Sequence, residues 1–222
     1  MFVGHFALGL AGKRLAPRVS LGTWFLSVQL LDLIWPVFLL LGIEQVRVTP
    51  GYTRLSPLDF YHYPWTHSLV TAVLWSLGFF LAALLFRRGP GRGAAACLLG
   101  LGVVSHWLLD AVVHRPDLPL FPLMGRYVGL GLWDRPVLAI SLELALFALG
   151  IAIYLRRTTA KDAVGRWGLW ALLAFLLLAW IGSLFGPLPE DQTPIAWTGL
   201  ALWLLIPWAA WVDRHRTLRI PV

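Results

Sequence analysis

His106 and Asp110 have the residue types and the spacing of two metal ligands on one helix. They are four residues apart in Ser-His-Trp-Leu-Leu-Asp, so a helix places them on one face about one turn from each other, where a cation can bridge them. The same spacing also suits a hydrogen-bonded pair buried between helices, which is the commoner arrangement for an isolated pair of this kind. A metal site therefore needs ligands from elsewhere in the chain.

Further polar side chains lie inside apolar segments, where an ionisable group is costly and usually faces the interior of a helix bundle. They are His5, Gln29, Asp32 and Glu143. A rise of about 1.5 Å per residue from the predicted helix ends puts these ionisable groups, with His106 and Asp110, in a band near and above the membrane midplane. Simpler interpretations stay open: His5 at the interface, and Glu143 neutral and bonded to a neighbouring helix.

His62 and His67 flank Tyr-Pro-Trp-Thr at the start of another apolar segment. This junction between a loop and a helix can aim both imidazoles inward. His67 reaches the polar band only if its end of the helix bends toward the interior, and Pro64 favours such a bend. For His62, a place in a solvated loop is the simpler interpretation.

Transmembrane helices are the elements that must position these groups. Of the 222 residues, 59% are hydrophobic and 13% charged, and the mean hydropathy is +0.74, beyond the roughly half-apolar composition of soluble domains. Six apolar segments are long enough to cross a hydrocarbon core of about 30 Å: residues 21–42, 67–86, 94–114, 136–155, 167–186 and 195–212. The first twelve residues are apolar but too short to span, and they predict a half-helix that dips into the bilayer.

The predicted fold is therefore an all-α polytopic membrane helix bundle with about six transmembrane helices and a short N-terminal half-helix. We expect one membrane domain over residues 1–222, in which residues 1–125 carry the motifs and residues 136–212 add three further transmembrane helices. The single cysteine, Cys97, leaves no disulfide framework or Cys-based zinc site within one chain.

The basic residues indicate the orientation in the membrane. The net charge is +7, but Lys and Arg form short clusters between apolar segments and no basic face, so we expect no nucleic acid as a partner. Four clusters fall on one side of a six-crossing bundle, which predicts cytoplasmic termini: Lys13, Arg14 and Arg18; Arg87, Arg88 and Arg92; Arg156, Arg157, Lys161 and Arg166; Arg214 and Arg216. The longer loops 43–66 and 115–135 then lie outside, and His114, Asp117, Asp59 and Asp134 in or beside them are expected to be solvated.

Four motifs in order resemble the YdjM-like inner-membrane proteins, a family described as membrane-bound metal-dependent hydrolases and distantly related to zinc-dependent phospholipase C. The motifs are Gly4-His5 followed by small and apolar residues, Asp32 in the next helix, His62-Tyr-Pro-Trp-Thr-His67-Ser68, and Ser105-His106-Trp-Leu-Leu-Asp110. The resemblance covers residues 1 to about 125. The last three crossings share only their hydrophobic character with the family.

The resemblance implies an inner-membrane hydrolase that binds a divalent metal, with zinc favoured by the mixture of imidazole and carboxylate. Its implied ligands are His5, Asp32, His67, His106 and Asp110. Asp32 and Glu143 are the candidate catalytic carboxylates, Glu143 as a general base. The expected partners are membrane lipids, and the expected substrate is an ester or phosphoester of a lipid or lipid-linked molecule at the outer side of the membrane.

Two positions depart from the family pattern. Ile34 stands where a second aspartate is usual, and Tyr63 stands where an arginine is usual. The first change removes a potential ligand of a second metal, and the second removes a potential phosphate clamp. The chain is thus either a one-metal variant or a catalytically inactive membrane protein.

Two other classes of function stay open on the sequence. A proton- or cation-coupled transporter would use the same His, Asp and Glu residues as a relay, but the inner halves of the helices are almost wholly apolar and no inverted repeat is evident. A structural or assembly factor could use Gly182 and Gly186, which form a GxxxG helix contact motif.

Overall fold

The structure is a computed structural model that describes residues 1–219. Its α-helices are α1 (Val3–Leu15), α2 (Leu21–Val28), α3 (Leu30–Leu40), α4 (Pro64–His67), α5 (Leu69–Phe86), α6 (Arg92–Val113), α7 (Pro136–Arg157), α8 (Leu169–Phe185), α9 (Gln192–Ala201) and α10 (Leu205–Arg214). A π-helical turn (Val164–Gly168) leads into α8, and 3-10 turns occupy Leu132–Asp134 and Leu202–Leu204. Three short antiparallel strand pairs complete the elements: β1 (Gln45–Val48) with β2 (Leu58–His62), β3 (Leu118–Pro119) with β4 (Tyr127–Val128), and β5 (Thr158–Ala160) with β6 (Arg216–Leu218).

The helices confirm the predicted fold class. Five helical stretches are long and apolar enough to cross a membrane: Leu69–Phe86, Arg92–Val113, Pro136–Arg157, Val164–Phe185 and Gln192–Arg214. The pair α2 and α3 makes a sixth if it is counted as one span, although it is bent by 56°. The connectors 41–63 and 114–135 share one end of the bundle, the loop end, and the connectors 16–20, 87–91 and 158–163 share the other, the basic end.

The predicted crossing over residues 21–42 is broken at Gln29. This residue has φ −110° and ψ 5°, outside the helical region, and separates α2 from α3. The break frees the carbonyl of Val28 from the helical ladder, and a histidine of α6 donates to it instead. Hydropathy averages over whole segments, so it predicted the length of this span and missed its interruption.

Helix α1 lies at the centre of the bundle, as the half-helix prediction requires. It packs mainly on α7 and also on α2 and α6, and Val3, Phe6 and Leu10 are fully buried. Its backbone approaches α7 closely at Gly150, where an added Cβ would stand 2.5 Å from the carbonyl oxygen of Ala7. This close packing carries the beginning of α1, and His5 with it, into the interior.

A buried ion pair holds the other end of α1. Lys13 Nζ lies 2.5 Å from Asp213 Oδ2 and also donates to the carbonyl of Val19 at 2.8 Å. The same aspartate accepts from Tyr154 Oη at 2.7 Å and from the Leu21 amide at 3.1 Å. Because each charge has a partner, the pair links α1, α2, α7 and α10 at the basic end without leaving a buried charge uncompensated.

The loop end is more ordered than the sequence indicated. The predicted loops 43–66 and 115–135 contain the β1–β2 and β3–β4 pairs. Arg115 and Asp134 form an ion pair at 2.7 Å across the second connector, and the hydrogen bond from Arg115 holds the pKa of Asp134 below its usual value. These contacts give the loop end a defined surface over the helices.

Candidate metal centre

Four of the predicted ligands converge at one point inside the bundle. They are Asp32 on α3, His67 on α4, and His106 and Asp110 on α6. Asp32 Oδ1 lies 3.4 Å from His67 Nε2 and 3.5 Å from His106 Nε2. Asp110 Oδ2 lies 3.9 Å from His67 Nε2 and 3.2 Å from His106 Nε2. Residues far apart in the sequence thus present two nitrogens and two oxygens to one another.

These separations match the edges of a small tetrahedral coordination shell. Zinc binds histidine nitrogens and carboxylate oxygens at about 2.0–2.2 Å, so two ligands of a tetrahedral ion stand roughly 3.3–3.6 Å apart. The four measured separations run from 3.2 to 3.9 Å. The donor types are those that zinc prefers, and four of the six separations of a tetrahedral shell are close to its edges. Donor atoms of His67, His106 and Asp110 all lie within 4.8 Å of one another.

The orientation of His106 is fixed by a backbone carbonyl. Nδ1 of this ring lies 2.8 Å from the oxygen of Val28, which can only accept, so Nδ1 carries the proton. In the neutral ring, Nε2 then bears a lone pair that faces the carboxylates of Asp32 and Asp110. This nitrogen is buried and has no hydrogen-bond partner in the described part of the chain. A lone pair directed at two anions requires a cation between them, either a metal ion or a proton on the ring.

His67 is oriented by a relay of two side chains. Thr66 Oγ1 lies 2.6 Å from Glu44 Oε2, to which it donates, and 2.7 Å from His67 Nδ1, from which it can therefore accept. Glu44 is fully buried and also accepts from the amides of Trp65 and Thr66 at 2.7 and 2.8 Å. The relay places the proton on Nδ1 and leaves Nε2 free as a ligand, which is the support usually given to a metal-binding histidine.

The bend predicted at Pro64 is present. Pro64 begins the single turn of α4, the chain leaves the helix at Ser68 with ψ 150°, and α5 starts at Leu69. The side chain of Ser68 accepts from the Thr71 amide and caps α5. This separate turn draws His67 inward from the end of the span to the level of the other donors.

His5, the fifth predicted ligand, packs directly on the cluster. Its ring is stacked on that of His106, with centroids 3.7 Å apart and planes within 5°. His5 Nε2 lies 3.1 Å from Asp110 Oδ1, an oxygen that also accepts from the amino group of Met1 at 2.7 Å. A donor atom of His5 comes within 4.8 Å of donor atoms of Asp32 and His106. His5 can thus act as a ligand or orient Asp110.

Unpartnered polar atoms collect around the cluster. In residues 1–219 they include Nδ1 of His5, Nε2 of His106, and both amide atoms of Gln29 at the break between α2 and α3. Buried polar atoms without partners are uncommon in folded proteins, and each asks for an explanation such as an ion or a water molecule. The two unpartnered imidazole nitrogens, on the stacked rings of His5 and His106, support a site for a polar ligand or ion.

Glu143 lies beside the cluster and anchors α1. Its Oε2 accepts from the amides of Phe2 and Gly4 at 2.9 and 3.3 Å, which satisfies unpaired donors at the start of this helix. Within the described chain, no hydrogen bond joins Glu143 to the five predicted ligands. Its predicted role as general base stays a prediction.

Two other histidines lie near the loop end, and one is exposed while the other is buried. His62 is exposed, as the simpler interpretation had it. The expectation that His114 is solvated is wrong, because its ring is 3% exposed and packs against Trp133 and Phe60, with centroids 4.5 and 4.9 Å away. His114 Nδ1 lies 3.0 Å from Asp117 Oδ1.

Tyr63 extends this buried group toward the candidate metal centre. Its hydroxyl donates to the carbonyl of Asp117 at 3.3 Å, and its ring centroid is 5.3 Å from that of His67. Tyr52 donates to Asp117 Oδ2 at 3.1 Å, and burial, reinforced by this carboxylate, raises the pKa of Tyr52 to about 12. The phenols of Tyr52 and Tyr63 are therefore neutral beside Asp117. Position 63 offers no cationic side chain that could bind a phosphate.

Asp32 is the accessible member of the cluster. Its side chain is 24% exposed, whereas those of His67, His106 and Asp110 are at most 5% exposed. A water molecule or substrate that reaches the cluster therefore meets Asp32 first.

No family model matches this chain, and neither a curated protein nor a solved structure is detectably similar to it.

Proposed function

We propose that this chain is an integral membrane metal-dependent hydrolase whose centre holds one divalent ion, zinc by its donor set. The observation that carries the proposal is the orientation of His106, whose Nδ1 proton is held by the Val28 carbonyl while the unpartnered Nε2 faces two carboxylates. The resemblance of the four motifs to YdjM-like proteins supports the same assignment. The proposed ligands are His67, His106, Asp32 and Asp110, with His5 as a fifth donor or as the group that orients Asp110.

Each of these residues has a distinct task in the proposed reaction. A divalent ion held there would need an open position for water beside these four ligands, as in five-coordinate zinc. It would then lower the pKa of that water toward neutrality and polarise an ester or phosphoester oxygen. Asp32, the exposed member, is placed to accept a proton from a water molecule. Glu44, through Thr66, holds His67 in position, and Glu143 holds the start of α1 and therefore His5. The single aspartate on α3, with Ile34 after it, fits one ion and leaves no second carboxylate for another.

The proposed substrate is an ester or phosphoester of a lipid or lipid-linked molecule. An apolar groove of about 560 Å³ lies beside the turn that carries His67, lined by Phe38, Ile43, Trp65, Leu74 and Trp75. Such a groove at membrane depth suits an acyl or isoprenoid chain. With the basic clusters assigned to the cytoplasmic side of an inner membrane, the C-terminal end of α10 is cytoplasmic and the site opens near the outer side. The amino group of Met1, predicted as cytoplasmic, lies instead inside the bundle against Asp110.

The test of the proposed function is hydrolysis by the purified full-length chain in detergent. We expect the zinc-loaded protein to hydrolyse a fluorogenic phosphodiester lipid or a fluorogenic carboxylic-ester lipid. A chelator should abolish turnover, and added zinc should restore it. Asp32→Asn should lower the rate by at least about 100-fold, since the loss of one catalytic proton-transfer group costs typically 10²–10⁴-fold. Turnover that survives both the chelator and this substitution would contradict the proposal.

The packing below the cluster favours hydrolysis over transport. His5 and Lys13 lie on the same helix about 12 Å apart, and the side chains between and around them are apolar and buried, including Phe6, Leu10, Phe25 and Phe147. A proton or cation relay needs a polar path through this layer. The GxxxG motif of the assembly alternative packs on no helix at Gly182, because an added Cβ there would meet no atom of residues 1–219 within 4 Å.

Glu44→Gln is expected to weaken zinc binding by about 10- to 100-fold, as is typical when a partner of a metal-binding histidine is lost. A glutamine amide in place of Oε2 no longer accepts from Thr66, so Nδ1 of His67 loses its fixed acceptor. The measurement is zinc affinity by competition with a chromophoric chelator.

The matched control is Glu190→Gln, which makes the same change at an exposed position in the connector before α9. It should leave zinc affinity within about twofold. Thr66→Val removes the hydroxyl that links Glu44 to His67, and it should weaken zinc binding to the same extent as Glu44→Gln. Equal affinities for wild type and Glu44→Gln would show that the relay does not support a metal ligand.

A further inference from the structure

A second groove lies at the basic end of the bundle, away from the metal centre. It has a volume of about 290 Å³ and runs between α2, α5 and α6, with Thr23, Leu26, Phe79, Ala83 and Leu99 among its lining residues. The walls are almost entirely apolar and belong to membrane-spanning segments. The volume is near the lower end of the range of known ligand sites, roughly 300–1,000 Å³.

Arg87 closes the basic end of this groove. It follows directly after α5 and lines the cavity with its neighbour Phe86. Its Nε is buried and has no hydrogen-bond partner among residues 1–219, and the described chain offers this guanidinium no carboxylate within ion-pair distance. A buried donor on a permanent cation needs an acceptor that this part of the protein does not supply.

The surroundings of Arg87 are basic. The connector after α5 holds Arg88 and leads to Arg92, and the neighbouring connector after α1 holds Arg18. Neither connector, residues 87–91 or 16–20, contains an acidic residue. The local charge therefore favours an anion, and the apolar groove that extends from it into the membrane favours a hydrocarbon chain.

We propose that this groove binds an anionic phospholipid, with its phosphate on Arg87 and one acyl chain between α2, α5 and α6. Basic pockets between transmembrane helices at the cytoplasmic side bind anionic headgroups in this manner. Arg is suited to the phosphate because its fixed fork of donors matches two phosphate oxygens. The lipid bound here lies at the opposite end of the bundle from the metal centre, so it is a resident ligand and not the proposed substrate.

The test is native mass spectrometry of the full-length chain in detergent, titrated with dioleoylphosphatidylglycerol. Arg87→Gln should weaken binding about tenfold, the loss expected for one charge-assisted hydrogen bond. Arg88→Gln is the matched control, because it removes the same charge from an exposed neighbour, and it should change affinity by less than about twofold. Ala82→Phe, which fills the groove and leaves Arg87 in place, should also weaken binding.

Several results would overturn the proposal. Equal losses for Arg87→Gln and Arg88→Gln would indicate diffuse attraction to the basic end and no site. Unchanged binding in Ala82→Phe would show that no chain enters the groove, and equal affinity for dioleoylphosphatidylcholine would remove the preference for an anionic headgroup. Zinc content serves as an independent readout, because the proposal requires it to stay at the wild-type level in all three variants.

Discussion

Replacing His106 with alanine is expected to remove the bound metal. The wild-type chain should carry about one divalent ion after purification, and the variant should bind zinc at least about 100-fold more weakly, because a ligand loss exceeds the 10- to 100-fold cost of losing a supporting group. His106 Nε2 is the donor that faces both Asp32 and Asp110, so its loss also leaves two carboxylates without a shared cation. Elemental analysis by inductively coupled plasma mass spectrometry measures the content.

His62→Ala is the matched control for this prediction. It removes an imidazole from the same motif as His67, but the side chain is exposed at the end of β2. We expect the metal content to stay at about one ion per chain. If the wild-type protein purifies without metal and takes up none when zinc is added, the cluster consists only of histidine–aspartate ion pairs and is not a metal site.

Asp213→Asn is expected to destabilise the fold by about 3–5 kcal/mol, the typical cost of leaving one member of a buried ion pair alone. Lys13 would be left at 5% exposure without its carboxylate partner. Tyr154 and the Leu21 amide would share a neutral acceptor in place of the charged one. Equilibrium unfolding in mixed micelles, followed by tryptophan fluorescence, gives the free energy of unfolding.

The matched variant is the double substitution Lys13→Met with Asp213→Asn. It removes the unpaired cation as well, so most of the lost stability should return, as is often found when both members of a buried pair are replaced. The metal content should be unchanged, because the pair lies at the basic end of α1 and His5 at the other. A loss below about 1 kcal/mol in the single variant would mean that the pair behaves like an exposed salt bridge.

The helices could be predicted because lipid imposes a length and a composition on any segment that crosses it. The apolar segments therefore placed α5 to α8 within a few residues, and the short apolar start gave α1 as a half-helix. The inward turn at His67 was predictable as well, because Pro64 favours a helix start and the polar band needed this ring. In each case a property of the local sequence, either the length of an apolar segment or a proline at a helix start, favours the same structure as the packing of the whole bundle.

The support of the centre could not be predicted, because it depends on contacts that no local pattern encodes. Glu44 lies 22 residues before Thr66 in a segment predicted as a solvated loop, and only the fold brings it under His67. The break at Gln29, which presents the Val28 carbonyl to His106, has no signature in hydropathy. His114 was assigned to solvent because it follows the apolar part of α6. Of the aromatic rings that cover it, Phe60 comes from the other connector of the loop end and Trp133 from the far end of its own connector.

The most direct measurement is an anomalous difference map at the zinc edge from crystals of the zinc-loaded full-length chain. The proposed function predicts one peak, about 2.0–2.2 Å from Nε2 of His67 and His106 and from carboxylate oxygens of Asp32 and Asp110. A peak elsewhere, or no peak at the cluster, would contradict the metal centre.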